Sequence, residues 1–169
     1  MLTEDEKDFL ARIPDDKIVK VMSLDPHTND VAEDIIASIR AEYPDVKAVH
    51  MGATGLGISG QGDVDIYVLA NRGKFSSFLP GLVDLFGKPT KEKPDSITWE
   101  FLEDGFQVTV YLANANSEAM RRQLVVFNTL KSNPVLLQEY AVLKESMSGK
   151  SYREYQRVKY EFYHRILEK

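Results

Sequence analysis

The sequence predicts a mixed α+β fold, in which a small mixed β-sheet with flanking helices is followed by a C-terminal helical segment. Short apolar stretches bounded by glycine, proline and acidic residues recur up to residue 112, as expected of strands. Helical periodicity separates some of these stretches, and it is the only pattern left from residue 113 onward. We therefore expect one domain over residues 1–169, with an α/β part at 1–112 and helices at 113–169.

The first 44 residues are predicted to be mainly helical. Residues 3–12 form a short helix in this interpretation, and residues 18–24 are extended. A longer helix begins at a cap formed by Thr28 or Asn29 and ends before Pro44. Its apolar face has residues at helical spacing: Val31, Ile35, Ile39 and Tyr43.

The next segments alternate between strand and helix. A helix is predicted at residues 74–86, where Gly87 and Pro89 end it. The turn Glu103-Asp104-Gly105 between two apolar runs is typical of a β-hairpin. Strands are expected at residues 46–51, 63–70, 97–102 and 106–112.

Three helices are predicted after Asn116. The first has an apolar stripe formed by Met120, Leu124, Phe127 and Leu130. Asn133-Pro134 is a cap followed by a favoured first helical residue, and the helix that it opens closes near Gly149. Ser151 begins the third, with an inner face formed by Tyr155, Val158, Phe162 and Ile166.

Composition excludes several classes of protein. The absence of cysteine excludes disulfide frameworks, thiolate zinc sites and cysteine nucleophiles. No apolar run approaches the 18 residues of a membrane span, and the N-terminal segment is the acidic MLTEDEKDFLARI, so we expect a cytoplasmic protein without a membrane partner.

The formal net charge of −5 is unevenly distributed. Residues 1–112 carry 11 basic and 20 acidic side chains, a net charge of −9, whereas residues 113–169 carry 10 and 6, a net charge of +4. A chain this acidic is unsuited to extended DNA binding, which depends on phosphate contacts. A basic segment beside an acidic one is suited to a small polyphosphate, and solvated helix faces are the alternative interpretation.

Half of the ten glycines lie in the short segment after the first predicted strand, at Gly52, Gly55, Gly57, Gly60 and Gly62. Glycine permits a positive φ and lets backbone N–H groups approach phosphates. The match to G-x-G-x-x-G at residues 55–60 does not indicate a dinucleotide site, because a strand follows it where that motif requires a helix. No Gly-Lys-Ser/Thr sequence is present, which excludes a P-loop.

Asp63 and Asp65 are the strongest candidates for chemistry. They are two residues apart on a predicted strand, so both carboxylates lie on the same face, opposite the apolar Val64 and Ile66. Two close carboxylates repel each other unless a cation lies between them, and oxygen ligands suit Mg²⁺. The alternative is a solvated pair of aspartates at a strand start.

These residues resemble a known family. Gly52-Ala53, nine residues and then Asp63-Val64-Asp65-Ile66 are similar to the motif of the nucleotidyltransferase superfamily related to DNA polymerase β. His50-Met-Gly-Ala-Thr and Gly62-Asp-Val-Asp-Ile resemble, more narrowly, the GrpB family of that superfamily. The resemblance covers residues 46–168 and continues in the C-terminal helices, through residues 127–134, Glu139 to Lys144 and Tyr155 to Phe162.

The resemblance implies a fold, a reaction and a site. The sheet would be of nucleotidyltransferase type, and the protein would transfer a nucleoside monophosphate from a nucleoside triphosphate, with ATP the expected one, to an acceptor. It also implies that Gly52, Ala53 and Thr54 cradle the triphosphate, while Asp63 and Asp65 bind Mg²⁺. The acceptor stays open between a small molecule, a protein hydroxyl and an RNA end.

The sequence departs from the family pattern in two places. Ala53 stands where serine is common, which removes a hydroxyl that Thr54 would have to supply. The strand expected to carry a third carboxylate has no acid and instead presents Gln107, Thr109 and Tyr111, which leaves Glu100 on the neighbouring strand as a fallback. A catalytically impaired nucleotide-binding or protein-interaction module of the same fold is therefore the alternative function.

Supporting residues are less specific. His50 is expected either to orient the glycine-rich loop or to be a satisfied core residue. Phosphate contacts are considered for four basic residues of the last helices: Arg121, Arg122, Lys144 and Lys159. Lys159 is favoured as a nucleotide-binding residue, because Tyr155 and Phe162 place it beside the buried stripe; solvated side chains are the alternative for all four. His27 and His164 do not have the spacing of a metal site.

Overall fold

A computed structural model describes all 169 residues and confirms the mixed α+β class. The helices are α1 (Glu4–Arg12), α2 (His27–Glu42), α3 (Gly52–Leu56), α4 (Phe75–Phe86), α5 (Glu118–Ser132), α6 (Pro134–Ser146) and α7 (Tyr152–Leu167). The strands are β1 (Lys47–Met51), β2 (Val64–Ala70), β3 (Lys91–Lys93), β4 (Ser96–Glu103) and β5 (Phe106–Asn114). None of the helices combines the length and apolar character needed to cross a bilayer.

The five strands form one mixed sheet in the order β1-β2-β5-β4-β3. β2 and β5 are parallel, and all other neighbours are antiparallel. The predicted hairpin joins β4 to β5, and its turn residues Asp104 and Gly105 have φ of 50° and 83°. Positive φ at both central positions matches the right-handed twist of the strands, which explains the Asp-Gly sequence.

The main core fills the face of the sheet that α2 and α4 cover. Val64, Ile66 and Val68 of β2 are fully buried in it. Trp99 is also buried, and its indole Nε1 donates a hydrogen bond to the carbonyl oxygen of Gly87 at 2.8 Å. A polar group inside the core is thereby satisfied at the end of α4.

The opposite face of the sheet receives the C-terminal helices. Met51 and Leu69 pack there against Met120 and Phe127 of α5. Because successive strand residues alternate between faces, Asp65 of β2 lies on this face, toward α5, α6 and α7. The predicted stripe of the first C-terminal helix is confirmed, and the caps of the three helices are Ser117, Asn133 and Ser151.

The predicted cap of α2 is wrong. The helix begins at His27, so Thr28 and Asn29 lie in its first turn and Pro26 occupies the cap position. Asp25 stabilises this end instead, because its Oδ1 accepts a hydrogen bond from the backbone N–H of His27 at 3.0 Å. The Thr28 hydroxyl donates to the carbonyl oxygen of Asp25 at 2.6 Å, an alternative that its short polar side chain permits.

Three other expectations need correction. The glycine-dense loop is partly helical, because α3 follows β1 directly. Residues 18–24 form no regular strand and make two isolated bridges, Ile18 to Ser151 and Met22 to Gly60. The short edge strand β3 escaped prediction because its sequence Lys-Glu-Lys is polar and exposed. We call residues 18–26, which pair with the segment before α7 through Ile18 and with the glycine-rich segment through Met22, the strap.

Candidate active site

A cavity of about 370 Å³ lies between the sheet and the C-terminal helices. The sheet side contributes Asp63 and Asp65, and the helices contribute Lys144 and Lys159. Gly52 and Ala53 also line it. The fold therefore brings the predicted metal-binding residues and the predicted phosphate-binding Gly52, Ala53 and Lys159 to one place, in a space of the size typical of small-ligand sites. Thr54, also predicted to bind phosphate, does not line this cavity.

Gly52 allows Asp65 to lie close to the backbone that follows β1. Gly52 has φ of 71°, and a Cβ built on it would lie 2.9 Å from Asp65 Oδ2. A Cβ on Gly55 would lie 2.4 Å from the carbonyl oxygen of His50. Any larger residue at either position would displace the backbone or the carboxylate, so the glycines are needed for this packing.

A hydrogen-bond chain fixes α3 to the start of β2. The Thr54 hydroxyl donates to the carbonyl oxygen of Asp63 at 2.8 Å and pairs with His50 Nε2 at 2.9 Å. Since the hydroxyl hydrogen is used for Asp63, His50 Nε2 carries the hydrogen in the other bond. Burial lowers the pKa of His50 to about 4, and the charge of Lys131 acts in the same direction, so the ring is neutral. Thr54 thus holds the carboxylate strand in position, and its hydroxyl is engaged within the chain.

Both carboxylates titrate above their ordinary range. Burial raises the pKa of Asp65 to about 6, and the nearby charge of Asp63 contributes, against the opposing effects of Lys159 and Lys144. Asp63 is more exposed, and its partial desolvation also raises its pKa, against the charge of Lys144. A site that raises the pKa of two neighbouring acids is one that a cation would stabilise.

The two lysines approach the cavity from different helices. Lys144 is buried, and its Nζ lies 5.2 Å and 5.5 Å from the ring centroids of Tyr140 and Tyr155. Burial lowers the pKa of Lys144 to about 7, and the charge of Lys159 adds to this effect. Lys159 Nζ lies 5.5 Å from the Tyr163 ring centroid, and the surrounding tyrosines, Tyr163 foremost, hold the pKa of Lys159 above its usual range. Lys159 is thus a cation available to an anion, and Lys144, which is partly protonated near pH 7, would be favoured in its charged form by an anion bound beside it.

Tyrosine is the commonest residue type in the cavity lining, a feature that sequence reasoning missed. Seven of the eight tyrosines line it: Tyr67, Tyr111, Tyr140, Tyr152, Tyr155, Tyr160 and Tyr163. Tyr67 and Tyr111 stack with centroids 4.3 Å apart, and Gln123 Nε2 donates to the Tyr67 hydroxyl at 3.1 Å. The spacing of the four tyrosines on α7 places them on a common side of that helix, and this spacing was the available signal.

The N-terminal helix closes one side of the cavity. Phe9 of α1 lines it and meets Tyr160 edge to face, with ring centroids 6.3 Å apart. Glu6 Oε2 lies 2.7 Å from His164 Nε2, and Arg122 contacts His164 Nδ1 at 3.1 Å. These contacts hold α1 against α7 and α5, so Arg122 and His164 serve packing.

Two further candidates lie outside the cavity. Arg121 is exposed and does not line it. His27 is exposed and contacts Asp25 Oδ1 at 2.9 Å. The three histidines are therefore in separate environments, and no group of three or more His, Asp or Glu side chains is arranged to hold a metal ion.

The third carboxylate has no direct substitute beside Asp65. In the parallel register Asp65 pairs with Thr109 of β5, and Thr109 pairs on its other side with Glu100 of β4. Glu100 is exposed, and its Oε1 contacts Lys91 Nζ at 3.2 Å. Glu100 does not line the cavity, so this candidate for the third carboxylate lies one strand too far from Asp65.

Comparisons with known proteins identify one family and several similar folds. The family described as GrpB protein matches residues 18–169. No curated protein matches the chain. The crystal structure of conserved protein GrpB from Enterococcus faecalis is similar, with a TM-score of 0.66, 16% identity, and coverage of 88% of this chain and 97% of that one. Cid1 in complex with the UTP analogue UMPNPP has a TM-score of 0.44 and 14% identity, over 79% of this chain and 40% of that chain.

Proposed function

This chain belongs to the GrpB family, and we propose that it is a Mg²⁺-dependent nucleotidyltransferase that transfers a nucleoside monophosphate from a nucleoside triphosphate, ATP first among them, to a hydroxyl acceptor. The observation that carries the proposal is the meeting of Asp63 and Asp65 with Lys144 and Lys159 in one cavity. A cytoplasmic location, where ATP and Mg²⁺ are abundant, is part of the proposal.

The carboxylates have the chemistry of a magnesium site. Mg²⁺ in nucleotide sites is held by one or two carboxylates together with substrate phosphates, so a third protein ligand is not required for binding. Burial raises the pKa values of Asp63 and Asp65 although the neighbouring lysines lower them, which indicates that the two carboxylate charges are compensated only in part within the chain. Asp63 and Asp65 would hold the Mg²⁺, which would supply a Lewis acid and charge stabilisation to the reacting phosphoryl group.

The remaining groups suit the rest of a nucleotide. Lys144 and Lys159 form no ion pair with the carboxylates, which leaves their amino groups for phosphate oxygens, and the negative charge of a phosphate would favour the protonated form of Lys144. Gly52 and Ala53 line the same space and permit close approach of phosphate to backbone. The seven tyrosines that line the cavity offer aromatic faces and hydroxyl groups to the base and the sugar.

A second candidate function is favoured by Thr109. Because Thr109 occupies the position beside Asp65 in the register, the chain lacks an acid next to the proposed metal ligands to accept the acceptor proton. A nucleotide-binding module with impaired transfer would have the same cavity. The variant Thr109→Asp separates the two: it should raise pyrophosphate release only if the missing acid limits the natural chain.

The proposed function is tested first by ligand-induced stabilisation. Thermal unfolding is measured with ATP, GTP, CTP and UTP, each with and without Mg²⁺, on the natural chain and on Asp65→Asn. A nucleotide at about 100 times its dissociation constant should add about 2.7 kcal/mol to the free energy of unfolding, and this gain should require both Mg²⁺ and Asp65.

The matched control is Asp84→Asn, which removes an acid from α4, on the opposite side of the sheet. This control should retain the full Mg²⁺-dependent stabilisation. The proposed site is overturned if no nucleotide stabilises the natural chain, or if Asp65→Asn behaves like Asp84→Asn.

A further inference from the structure

A second groove, of about 440 Å³, adjoins the cavity at Asp63. Three segments form it: residues 22–25 of the strap, parts of residues 54–63, and the β4–β5 hairpin near residues 102–107. Gln61, Gly62 and Asp63 line both spaces. A molecule in the groove would therefore reach the proposed metal-binding aspartate next to a nucleotide in the cavity.

The groove and the cavity differ in charge. The charged side chains that line the groove are Asp25 and Asp63, with no lysine or arginine. The cavity, in contrast, contains Lys144 and Lys159. A nucleic-acid strand needs cations along its phosphates, so the groove disfavours an RNA end as the acceptor and favours a neutral or cationic molecule.

Part of the groove lining is apolar. Met22, Leu24 and Leu102 are among the few large hydrophobic side chains that the fold leaves exposed, and Leu102 is 71% exposed. All three line the groove, together with Phe106. Exposed apolar residues that share one concave surface mark a protein interaction site more often than scattered ones do.

The strap also offers unused backbone groups. Ser23 and Leu24 make no hydrogen bond to backbone or side chain within the chain, although their neighbour Met22 exchanges two with Gly60, at 2.7 and 3.1 Å. Unpaired N–H and C=O groups on an extended segment are what an added peptide strand uses for binding. A peptide has this backbone complementarity, whereas a small apolar molecule does not.

We propose that the acceptor is a polypeptide, which presents a serine, threonine or tyrosine hydroxyl on an extended segment with apolar neighbours seated in this groove. This inference rests on the proposed nucleotidyl transfer. The acceptor oxygen forms a bond to the α-phosphorus, the bond from the α-phosphorus to the oxygen bridging to the β-phosphate breaks, and pyrophosphate leaves. The hydroxyl proton passes to water.

The test offers ATP labelled at the α-phosphate, with Mg²⁺, to the full chain together with one of three acceptor pools. The first pool has nine-residue peptides with a central Ser, Thr or Tyr and random flanks, the second has a central Ala, and the third has random oligoribonucleotides with free 3′ hydroxyls. Label should enter the first pool only, and mass spectrometry of the labelled peptides should show enrichment of apolar flanking residues.

Two variants locate the peptide in the groove. Leu102→Glu should reduce peptide labelling about tenfold, because it places a charge in an apolar contact, and it should retain the stabilisation by Mg²⁺ and nucleotide. The control Val135→Glu alters a side chain that is 81% exposed on α6 and does not line the groove, so labelling should be unchanged.

The outcomes separate this inference from the proposed function. Labelled RNA, equal labelling of the hydroxyl and alanine pools, or no labelled pool despite Mg²⁺-dependent nucleotide binding would each overturn the polypeptide acceptor and leave the nucleotide site intact. A full effect of Leu102→Glu on nucleotide binding would overturn the separation of groove and cavity. If no nucleotide binds at all, the proposed function fails and the acceptor inference fails with it.

Discussion

The sheet part and the helical part of the molecule supply opposite charges to the same cavity. Residues 1–112 carry a net charge of −9 and contribute the carboxylates of Asp63 and Asp65. Residues 113–169 carry a net charge of +4 and contribute the ammonium groups of Lys144 and Lys159. The asymmetry along the chain therefore becomes a charge separation across one site.

The two parts also hold their charges differently. The sheet fixes its carboxylates through hydrogen bonds of the backbone and of Thr54. The helices hold Lys144 and Lys159 over tyrosine rings, without an ion pair to a carboxylate. The carboxylates and the lysines are not paired directly with each other. The arrangement therefore suits a ligand that itself combines a cation with phosphates, as a magnesium nucleotide does.

The largest expected effect comes from variants that each remove either a positive or a negative side chain of the cavity. Without Mg²⁺, Lys159→Met should weaken the binding of inorganic tripolyphosphate about 10-fold to 150-fold, since a contact to a charged group contributes about 1.5–3 kcal/mol. Asp65→Asn should strengthen binding under the same conditions, because it removes a repelling carboxylate, and should lose the gain from added Mg²⁺. Isothermal titration calorimetry measures both.

The matched control for this comparison is Lys131→Met, which removes an exposed cation of α5 outside the cavity. Its affinity for tripolyphosphate should stay within about twofold of the natural chain. A loss of Mg²⁺-free affinity in Asp65→Asn as large as that in Lys159→Met would contradict the division of roles between the two parts.

Variants of Thr54 test whether its hydrogen bonds hold the strand that carries the carboxylates in position. Thr54→Val removes the hydroxyl that joins His50 to the Asp63 carbonyl, which leaves polar groups unpaired. The free energy of unfolding in urea should fall by about 1–3 kcal/mol. Thr54→Ser keeps the hydroxyl and should cost less than half as much; equal losses would show that the methyl group, and not the hydrogen bond, stabilises this segment.

Stability should vary with pH in opposite directions for the two parts. The pKa of Asp65 is about 6 when folded, above its ordinary 3.8, so the folded state binds more protons and its stability falls as the pH rises through this interval. The pKa of Lys144 is about 7 when folded, below its ordinary 10.5, so its charge costs stability fully below about pH 7, and the cost vanishes above about pH 10.5.

Single replacements should therefore stabilise the ligand-free protein. Asp65→Asn should raise the free energy of unfolding by about 1–2 kcal/mol at pH 8 and have little effect near pH 4. Lys144→Met should raise it by a similar amount at pH 6 and have little effect at pH 10. Denaturant unfolding across this pH range measures both, and a pH-independent effect of either variant would contradict the cause assigned to its shift.

The sequence predicted the sheet side of the site much better than the helical side. The residues that carry the carboxylates and glycines lie within 14 consecutive positions, from Gly52 to Asp65, where a strand's two-residue period fixes which side chains share a face. The helical contribution extends from Gln123 to Tyr163 on three helices. Its convergence depends on helix packing, which local patterns do not encode.

The same distinction explains the errors in the fold. The hairpin turn and the helix starts at Asn133 and Ser151 follow from the chemistry of neighbouring residues, and their prediction is confirmed. The start of α2 depends on Asp25 competing with Thr28 for the helix end, two choices that propensity ranks almost equally. The closure of the cavity by Phe9 depends on contacts of residues about 150 positions apart, such as Glu6 with His164 (a separation of 158).

The smallest expected effect is at Glu100, and it tests whether the sheet contributes any carboxylate to the site beyond those of Asp63 and Asp65. Its side chain is exposed, pairs with Lys91 Nζ at 3.2 Å and does not line the cavity. Glu100→Gln should change the free energy of unfolding by less than about 0.5 kcal/mol, and nucleotide affinity and pyrophosphate release should match the natural chain. A loss of release with binding retained would instead make Glu100 the missing third acid, which requires β4 to bring it toward Asp65 when nucleotide is bound.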